Sequence, residues 1–134
     1  MILQYVRDEE GLKLLAAGER DIAFIGDDKL AEYTLRGLIK QVNIADKVPL
    51  KCTLALAGKP DERIPAWIKL GRPLTVATSY PRLAREVINS GFNSLQPRYI
   101  SGGCEGYVAS GLCDLLFDIK AKGDTIRANG LQIY

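Results

Sequence analysis

The chain has no histidine among its 134 residues. That absence removes the commonest general base, the usual activator of a nucleophile and the usual zinc ligand. Any catalysis would run on carboxylates, lysine, arginine, tyrosine, backbone amides or a metal held by carboxylates. Cysteine is scarce: Cys52, Cys104 and Cys113 are the only 3. An odd number with no C-x-x-C spacing argues against a disulfide framework or a zinc site. These thiols are expected to be buried in a reducing cytoplasm. Cys104, beside two glycines, has a reactive thiol as its other reading. No apolar run approaches the roughly 20 residues that a membrane span needs. At the N-terminus, charge arrives with Arg7 and Asp8, too early for the apolar stretch of a signal peptide. A cytoplasmic location with no membrane partner is therefore expected. The net charge is only +2 and the basic residues are scattered, which excludes the clustered footprint of a nucleic-acid groove. Neither a Walker loop nor G-x-G-x-x-G occurs.

What is present is ordinary in amount and ordered in pattern. The hydrophobic fraction is 47% and the charged fraction 25%, enough for a packed core without staples. Isolated aromatics such as Trp67 and Tyr107 read as core or rim residues. Ile2 to Val6 is a short β-like run. Asp8-Glu9-Glu10 then suits the positive end of a helix that Gly18 stops. Asp21 to Gly26 reads as a buried strand. Asp27 or Asp28 can cap a following helix with Leu30, Tyr33, Leu35 and Leu38 inside. After Lys47-Val48-Pro49 the alternation restarts. Leu50 to Ala57 reads as a strand, Gly58 to Glu62 as a loop and Leu74 to Thr78 as a strand. Pro81 falls in the first turn of a helix carrying Leu83, Val87 and Ile88 and stopped by Gly91. Pro97 to Ile100 leads to Gly102-Gly103, a helix around Tyr107 to Ser110 ends at Gly111, and Leu112 to Ile119 holds the next strand. Strands alternating with helices predict an α/β fold with a largely parallel sheet. The boundary predicted near Pro49 divides the chain into 1–47 and 48–134. The first piece offers only two strands, which are marginal alone, so it is expected to need sheet from elsewhere.

In such folds, ligands sit beyond the carboxyl ends of the strands. Three loops fall there: Thr78-Ser79-Tyr80, Ser101-Gly102-Gly103 and Lys120 to Thr125. Glu105 could accept hydrogen bonds from a ligand's hydroxyls, or simply favour a helix N-terminus. Asp114 and Asp118 are four apart and would share a strand face. Asp118 at the strand end would point into the site, whereas Asp114 may begin the strand or cap the turn before it. In the loop Ala121-Lys122-Gly123-Asp124-Thr125, Gly123 permits close backbone approach, Thr125 offers a hydroxyl and Lys122 a positive charge. Asp124 would repel a phosphate dianion and suits a helix N-cap. Phosphate binding and a capped structural turn both stand on this chemistry. Thr78-Ser79 likewise offers either a second anion or nucleobase contact, or a helix cap.

The run Leu74 to Pro81, LTVATSYP, resembles a segment of ATP phosphoribosyltransferase, the first enzyme of histidine biosynthesis. The later run is similar to that family's signature. It has Glu105, Gly111-Leu112, Asp114, three apolar residues, Asp118, a loop with Gly123, Thr125 and Ile126, and ANGL at Ala128 to Leu131. The register holds from about Tyr5 to Leu131. The resemblance implies a fold like the type II periplasmic binding proteins, with two α/β lobes and substrates in the cleft. Residues 1–47 would be a partial first lobe. Residues 48–134 would be a second lobe carrying the phosphoribosyl-binding loop.

The resemblance also implies an activity: attack of N1 of ATP on C1 of phosphoribosyl pyrophosphate, with Mg²⁺, releasing pyrophosphate. The loop for the 5-phosphate falls on Ala121, Lys122, Gly123, Asp124 and Thr125, and the ribose-binding acids fall on Glu105 and Asp118. No residue is assigned as a metal ligand or as a catalytic acid or base. Family members usually carry Ser-Thr-Gly-x-Thr in the loop and Gly-Ser-Val-Glu-Val around the glutamate. This chain has Ala-Lys-Gly-Asp-Thr and Gly102-Gly103-Cys104-Glu105-Gly106. The family's opening strand and basic glycine loop have no expected counterpart before Met1, nor has its returning segment after Tyr134. Two readings follow: a phosphoribosyltransferase subunit, or a non-catalytic binding or partner subunit derived from that family. Either would assemble, as a homo-oligomer or with another subunit, to cover open edges.

Overall fold

The computed structural model describes residues 3–35, 53–119 and 124–134. The chain divides into two compact units, 1–48 and 49–134.

In the first unit, α1 (Asp8–Ala16) carries Asp8, Glu9 and Glu10 in its opening turn, where they complement the exposed N–H groups. Glu9 and Lys13 pair one turn apart at 2.9 Å. Leu12 is its buried apolar contact. The second helix, α2 (Asp27–Leu35), buries Tyr33. The runs expected as strands at Ile2 to Val6 and Asp21 to Gly26 form no ladder among the described residues. They lie along α1 instead: a Cβ on Gly11 would stand 3.6 Å from Val6 Cγ2 and 4.0 Å from Ala23 Cβ. Tyr5, Ile22 and Phe24 are 91%, 75% and 86% exposed, so the buried strand expected around Phe24 is corrected. Two short segments alone are too little to make a stable sheet. Leu38 of the expected α2 face lies outside the described residues, and nothing describes the Leu35 side chain.

The second unit is a five-stranded sheet in the order β3-β2-β4-β1-β5. Along the chain come β1 (Leu54–Gly58), α3 (Ile64–Lys69), β2 (Leu74–Thr78), α4 (Pro81–Asn89) and β3 (Leu95–Tyr99). Then follow α5 (Cys104–Ala109), β4 (Leu115–Ile119), α6 (Asp124–Ala128) and β5 (Gln132–Ile133). Strands β3, β2 and β4 are parallel, while β1 runs antiparallel to both β4 and β5. The sheet is thus mixed, and the expectation of a largely parallel one holds only for its β3-β2-β4 side.

Alternation along the strands splits the core into two layers. Leu74, Val76, Leu115 and Phe117 pack on one face with Ile64, Ala84 and Ile88 from α3 and α4. Ala57, Ala77 and Leu116 pack on the other with Cys104 and Val108 of α5 and Ile126 of α6. Leu115 and Leu116 are both fully buried on opposite faces, each contributing about 1.5–3 kcal/mol of apolar burial.

Several details went unseen in the sequence. The six-residue α3 follows the expected loop, in a stretch that had no expected element, opened by Pro65 in its first turn and by Asp61, whose Oδ1 accepts the Arg63 N–H at 2.9 Å. Pro97 sits within β3, which its edge position permits because no neighbour needs the missing donor. Strand β4 begins three residues later than Leu112, and α5 begins at Cys104 rather than near Tyr107.

Candidate functional site

Because β2, β3 and β4 are parallel, their carboxyl ends lie on one side of the second unit. Each is followed by a loop and a helix, so α4, α5 and α6 all begin at that side. This is where α/β sheets bind ligands.

The turn before α5 is set by glycine. Gly103 adopts φ +70° as the N-cap, a left-handed conformation that costs other residues. It starts α5 abruptly and places Glu105 in the first turn, partly exposed. Asp118, the fourth residue of β4, shares its strand face with Leu116 and therefore looks toward the α5 layer. Opposite it on β1 stands the small side chain of Ala55, which leaves room beside the carboxylate. Asp118 Oδ1 accepts the Ile119 N–H at 2.8 Å. Cys104, which precedes Glu105 at the start of α5, is fully buried. Burial, then the charge of Asp118 and its hydrogen bond with the thiol, then the charge of Glu105, push the Cys104 pKa up to about 12. The thiol is therefore protonated at neutral pH, and the buried reading of Cys104 displaces the reactive one. Cys113 is buried as well, while Cys52 lies outside the described residues.

Asp114 belongs elsewhere. It precedes β4, roughly 13 Å of strand from Asp118 at about 3.3 Å per residue. Its Oδ2 accepts the Thr75 N–H at 2.7 Å and the Thr75 hydroxyl at 2.8 Å. Its own N–H donates to Thr75 Oγ1 at 3.1 Å. Asp114 thus clamps the amino ends of β2 and β4, in line with its reading as the residue that begins the strand rather than a ligand contact.

The Thr78 reading also resolves toward structure. Thr78 is fully buried, and its hydroxyl oxygen accepts the Tyr80 N–H at 2.9 Å, shaping the entry to α4 rather than facing a ligand. Of the loop residues, Ala121, Lys122 and Gly123 lie outside the described residues. Asp124 is the first residue of α6, not the residue before it, and Thr125 is the second. Among the described residues, no three cysteine or carboxylate groups converge to hold a metal. No described helix is long and apolar enough to cross a membrane.

A cavity of about 270 Å³ opens on the opposite face of the sheet, lined by Leu56, Val76, Ile88, Leu95, Phe117 and Tyr134. It is almost wholly apolar and lies on the α4 layer, away from Glu105 and Asp118, so it offers nothing to a sugar phosphate.

Comparison with known proteins bears on this arrangement. The family model described as ATP phosphoribosyltransferase matches residues 7–134. An ATP phosphoribosyltransferase of Parabacteroides distasonis is 32% identical over 134 residues, covering 96% of this chain and 44% of its own length. One from Leptospira biflexa serovar Patoc is 30% identical over 137 residues, covering 97% of this chain and 66% of its own. Among solved structures, the ATP phosphoribosyl transferase (HisG:HisZ) complex from Thermotoga maritima contains a similar chain. It has a TM-score of 0.71 and 27% identity, with 96% of this chain and 60% of that one covered. A substrate-binding domain of an amino acid ABC transporter from Streptococcus pneumoniae matches in fold alone, with a TM-score of 0.50 and 15% identity over 97% of this chain and 69% of that one. The fold is α/β, of the type II periplasmic-binding-protein class. The chain spans 44% of the length of the Parabacteroides relative. With a family model matched along nearly all of it, the chain belongs to the ATP phosphoribosyltransferase family.

Proposed function

We propose that this chain carries the phosphoribosyl-binding lobe of an ATP phosphoribosyltransferase. It would take part in moving the phosphoribosyl group from phosphoribosyl pyrophosphate to N1 of ATP. The observation that carries the reading is the placement of Glu105, in the first turn of α5, and Asp118, near the end of β4, on the carboxyl side of the sheet. Two carboxylates so placed accept hydrogen bonds from the hydroxyls of a ribose. Ala121, Lys122, Gly123, Asp124 and Thr125 would receive the 5-phosphate on backbone N–H groups, with Lys122 adding positive charge. In the reaction, a bond forms between adenine N1 and ribose C1. The C1–O bond to pyrophosphate breaks and its electron pair leaves with the pyrophosphate. The protein's part would be to hold C1 in line with N1 and to steady the sugar as charge builds on it. No histidine is required.

The chemistry of the site bears on Mg²⁺. Magnesium is commonly held by one or two carboxylates together with substrate phosphates. The ion would fit this protein as one carried in with the pyrophosphate, with Asp118 or Glu105 able to supply a carboxylate to it. It would supply charge neutralisation of the departing pyrophosphate. A cytoplasmic setting and assembly with a second copy or another subunit belong to the same reading. The similar Thermotoga maritima chain is from a complex of two kinds of subunit.

Titration calorimetry with phosphoribosyl pyrophosphate and Mg²⁺ tests the reading directly. Saturable binding, abolished by Asp118→Ala, is expected, with pyrophosphate release once ATP and a completing subunit are present. No binding and no release at saturating substrate would sink it. A second reading, a non-catalytic binding or partner subunit, is favoured by the loop: Ala121 and Lys122 stand where the family usually has hydroxyls, and Asp124 adds an acid. Binding without turnover under every pairing would select it.

A further inference from the structure

We propose that the recess on the α4 face of the sheet is a preformed binding site for a small uncharged apolar molecule, the size of one hydrocarbon ring with a short alkyl substituent. It lies on the opposite face from Glu105 and Asp118 and does not depend on the phosphoribosyl reading. Its floor spans the four neighbouring strands, with Leu95 of β3, Val76 of β2, Phe117 of β4 and Leu56 of β1. The first three of these are buried, as is Ile88 in the wall that α4 provides. Val87 and Phe92, 44% and 42% exposed, mark the mouth. Protein interiors leave few voids larger than a water molecule. About 270 Å³ of open space over a floor this buried is far more than packing slack.

The lining selects against a polar guest. Its one polar side-chain group is the Tyr134 hydroxyl, and that group is engaged with the loop after β1. It donates to the Lys59 carbonyl at 2.6 Å and accepts the Asp61 N–H at 2.8 Å. The ring is left to form the wall, and it is fixed there. The Tyr134 N–H donates to the Leu56 carbonyl at 2.9 Å. Ring atom Cε2 lies 3.3 Å from where a Cβ on Gly58 would stand, so the glycine lets the ring close on β1. Water is held in a cavity by two to four polar partners, and this lining offers it almost none. An apolar guest therefore displaces poorly held water and gains by doing so. Volume sets its size. An apolar cavity of about 150 Å³ takes benzene, and one of about 270 Å³ takes a ring carrying an alkyl group. A charged guest would give up its hydration without compensation.

Titration calorimetry of the full chain with toluene tests the site. Saturable binding at one site per chain is expected, together with a rise in the thermal unfolding midpoint. Benzoate, the same ring with a carboxylate in place of the methyl group, should bind at least about tenfold more weakly. No saturable toluene binding, or equal affinity for benzoate, overturns the proposal. Ala84→Leu fills the recess from α4 and should weaken toluene binding about tenfold or more. Val87→Trp narrows the exposed mouth, where a larger side chain leaves folding intact, and should weaken it as well. Affinity unchanged in the two variants puts the ring elsewhere and overturns the proposal. So does a dimer, seen by sedimentation, that Val87→Trp dissociates while toluene fails to bind, since a second copy would then fill the recess. Asp118→Ala, on the other face, should leave toluene binding unchanged, so failure of the phosphoribosyl reading leaves this one standing. Loss of toluene binding in a folded Asp118→Ala would overturn the assignment to the α4 face.

Discussion

Phe24 in the first unit and Leu116 in the second both belong to short apolar runs that read as buried strands. Leu116 is fully buried, with helices on its side of a five-stranded sheet, whereas Phe24 is 86% exposed. The residue chemistry is comparable and the outcomes are opposite. A strand buries its side chains only when neighbours pair its backbone and a second layer covers its face. The second unit supplies both from within residues 49–134. Within its described residues the first supplies two helices and no paired strand. The paired sheet and the candidate site both belong to the second unit, while apolar side chains are exposed in both.

The sharpest way to break this contrast is to truncate one residue in each unit. Leu116→Ala removes fully packed atoms from the sheet's α5 face and should cost about 2–5 kcal/mol. Phe24→Ser removes an exposed side chain and should change stability by less than about 0.5 kcal/mol. Urea unfolding followed by Trp67, the chain's single tryptophan, reports on the second unit. Equal shifts of the midpoint in the two variants would undo the distinction. A lower tendency to self-associate in Phe24→Ser would sharpen it, since exposed apolar side chains are what associate.

The next effect belongs to the candidate site. An unfolded thiol ionises near about 8.5, whereas Cys104 in the folded protein holds its proton up to about 12. A folded pKa above the unfolded one stabilises fully below the lower value, and that contribution fades as pH rises through the window. At about 1.4 kcal/mol per pH unit, the loss by pH 11 is on the order of a few kcal/mol. Cys104→Val lacks this loss. Its stability relative to wild type should therefore rise between about pH 8.5 and 11 and stay flat from pH 6 to 8. Tyrosines and lysines titrate in both proteins and cancel. A difference that stays flat through pH 11 would show that Cys104 is not held protonated.

How much of this was legible before the structure follows from where each signal lives. Leu74 to Thr78, Pro81 and Gly91 were readable because strand alternation, a helix-opening proline and a stopping glycine are local. The α/β class and the family register were also visible, since they rest on many residues at once. The direction of β1 was not, because pairing is decided by partners distant in sequence. Pro97 hid β3, since a proline is acceptable in a strand only at an edge, and edges are a property of the sheet. The two acids Glu105 and Asp118 were singled out from the sequence, where the burial of Cys104 beside Glu105 was one of two readings. A buried thiol carries no periodic signal, and only the packing of α5 on the sheet decides between the two. Asp114 stood open between two readings: spacing along one strand could not show that Thr75 on another claims its carboxylate.

That claim makes a third, smaller test, setting the two ends of β4 against each other. Asp114→Ala leaves the Thr75 N–H and hydroxyl without their acceptor and should cost about 1–3 kcal/mol. Binding of ribose 5-phosphate, measured at a temperature where the variant is folded, should be retained. Asp118→Ala should reverse the pattern, with binding lost and stability changed little. Loss of binding in Asp114→Ala with full stability would place that acid in the site after all.

The smallest effect expected lies on the second unit's surface. Asp61 Oδ2 and Arg63 Nη2 are 2.7 Å apart, and hydrogen bonds from Arg63 draw the Asp61 pKa down to about 2. The Arg63 guanidinium also stacks over Trp67, 4.8 Å from the ring centre. A depressed carboxylate stabilises above its unfolded pKa of about 3.9 and loses that contribution as pH falls toward about 2. Thermal unfolding of wild type and Arg63→Ala should therefore differ slightly at pH 6, with the gap narrowing between pH 4 and 2. Exposed pairs are screened and held loosely, so the gap should be far smaller than that from Leu116→Ala. A surface pair outweighing a fully buried leucine would mean that the second unit is held together at its rim, and the contrast with the first unit, which has its own surface pair at Glu9 and Lys13, would lose its physical basis.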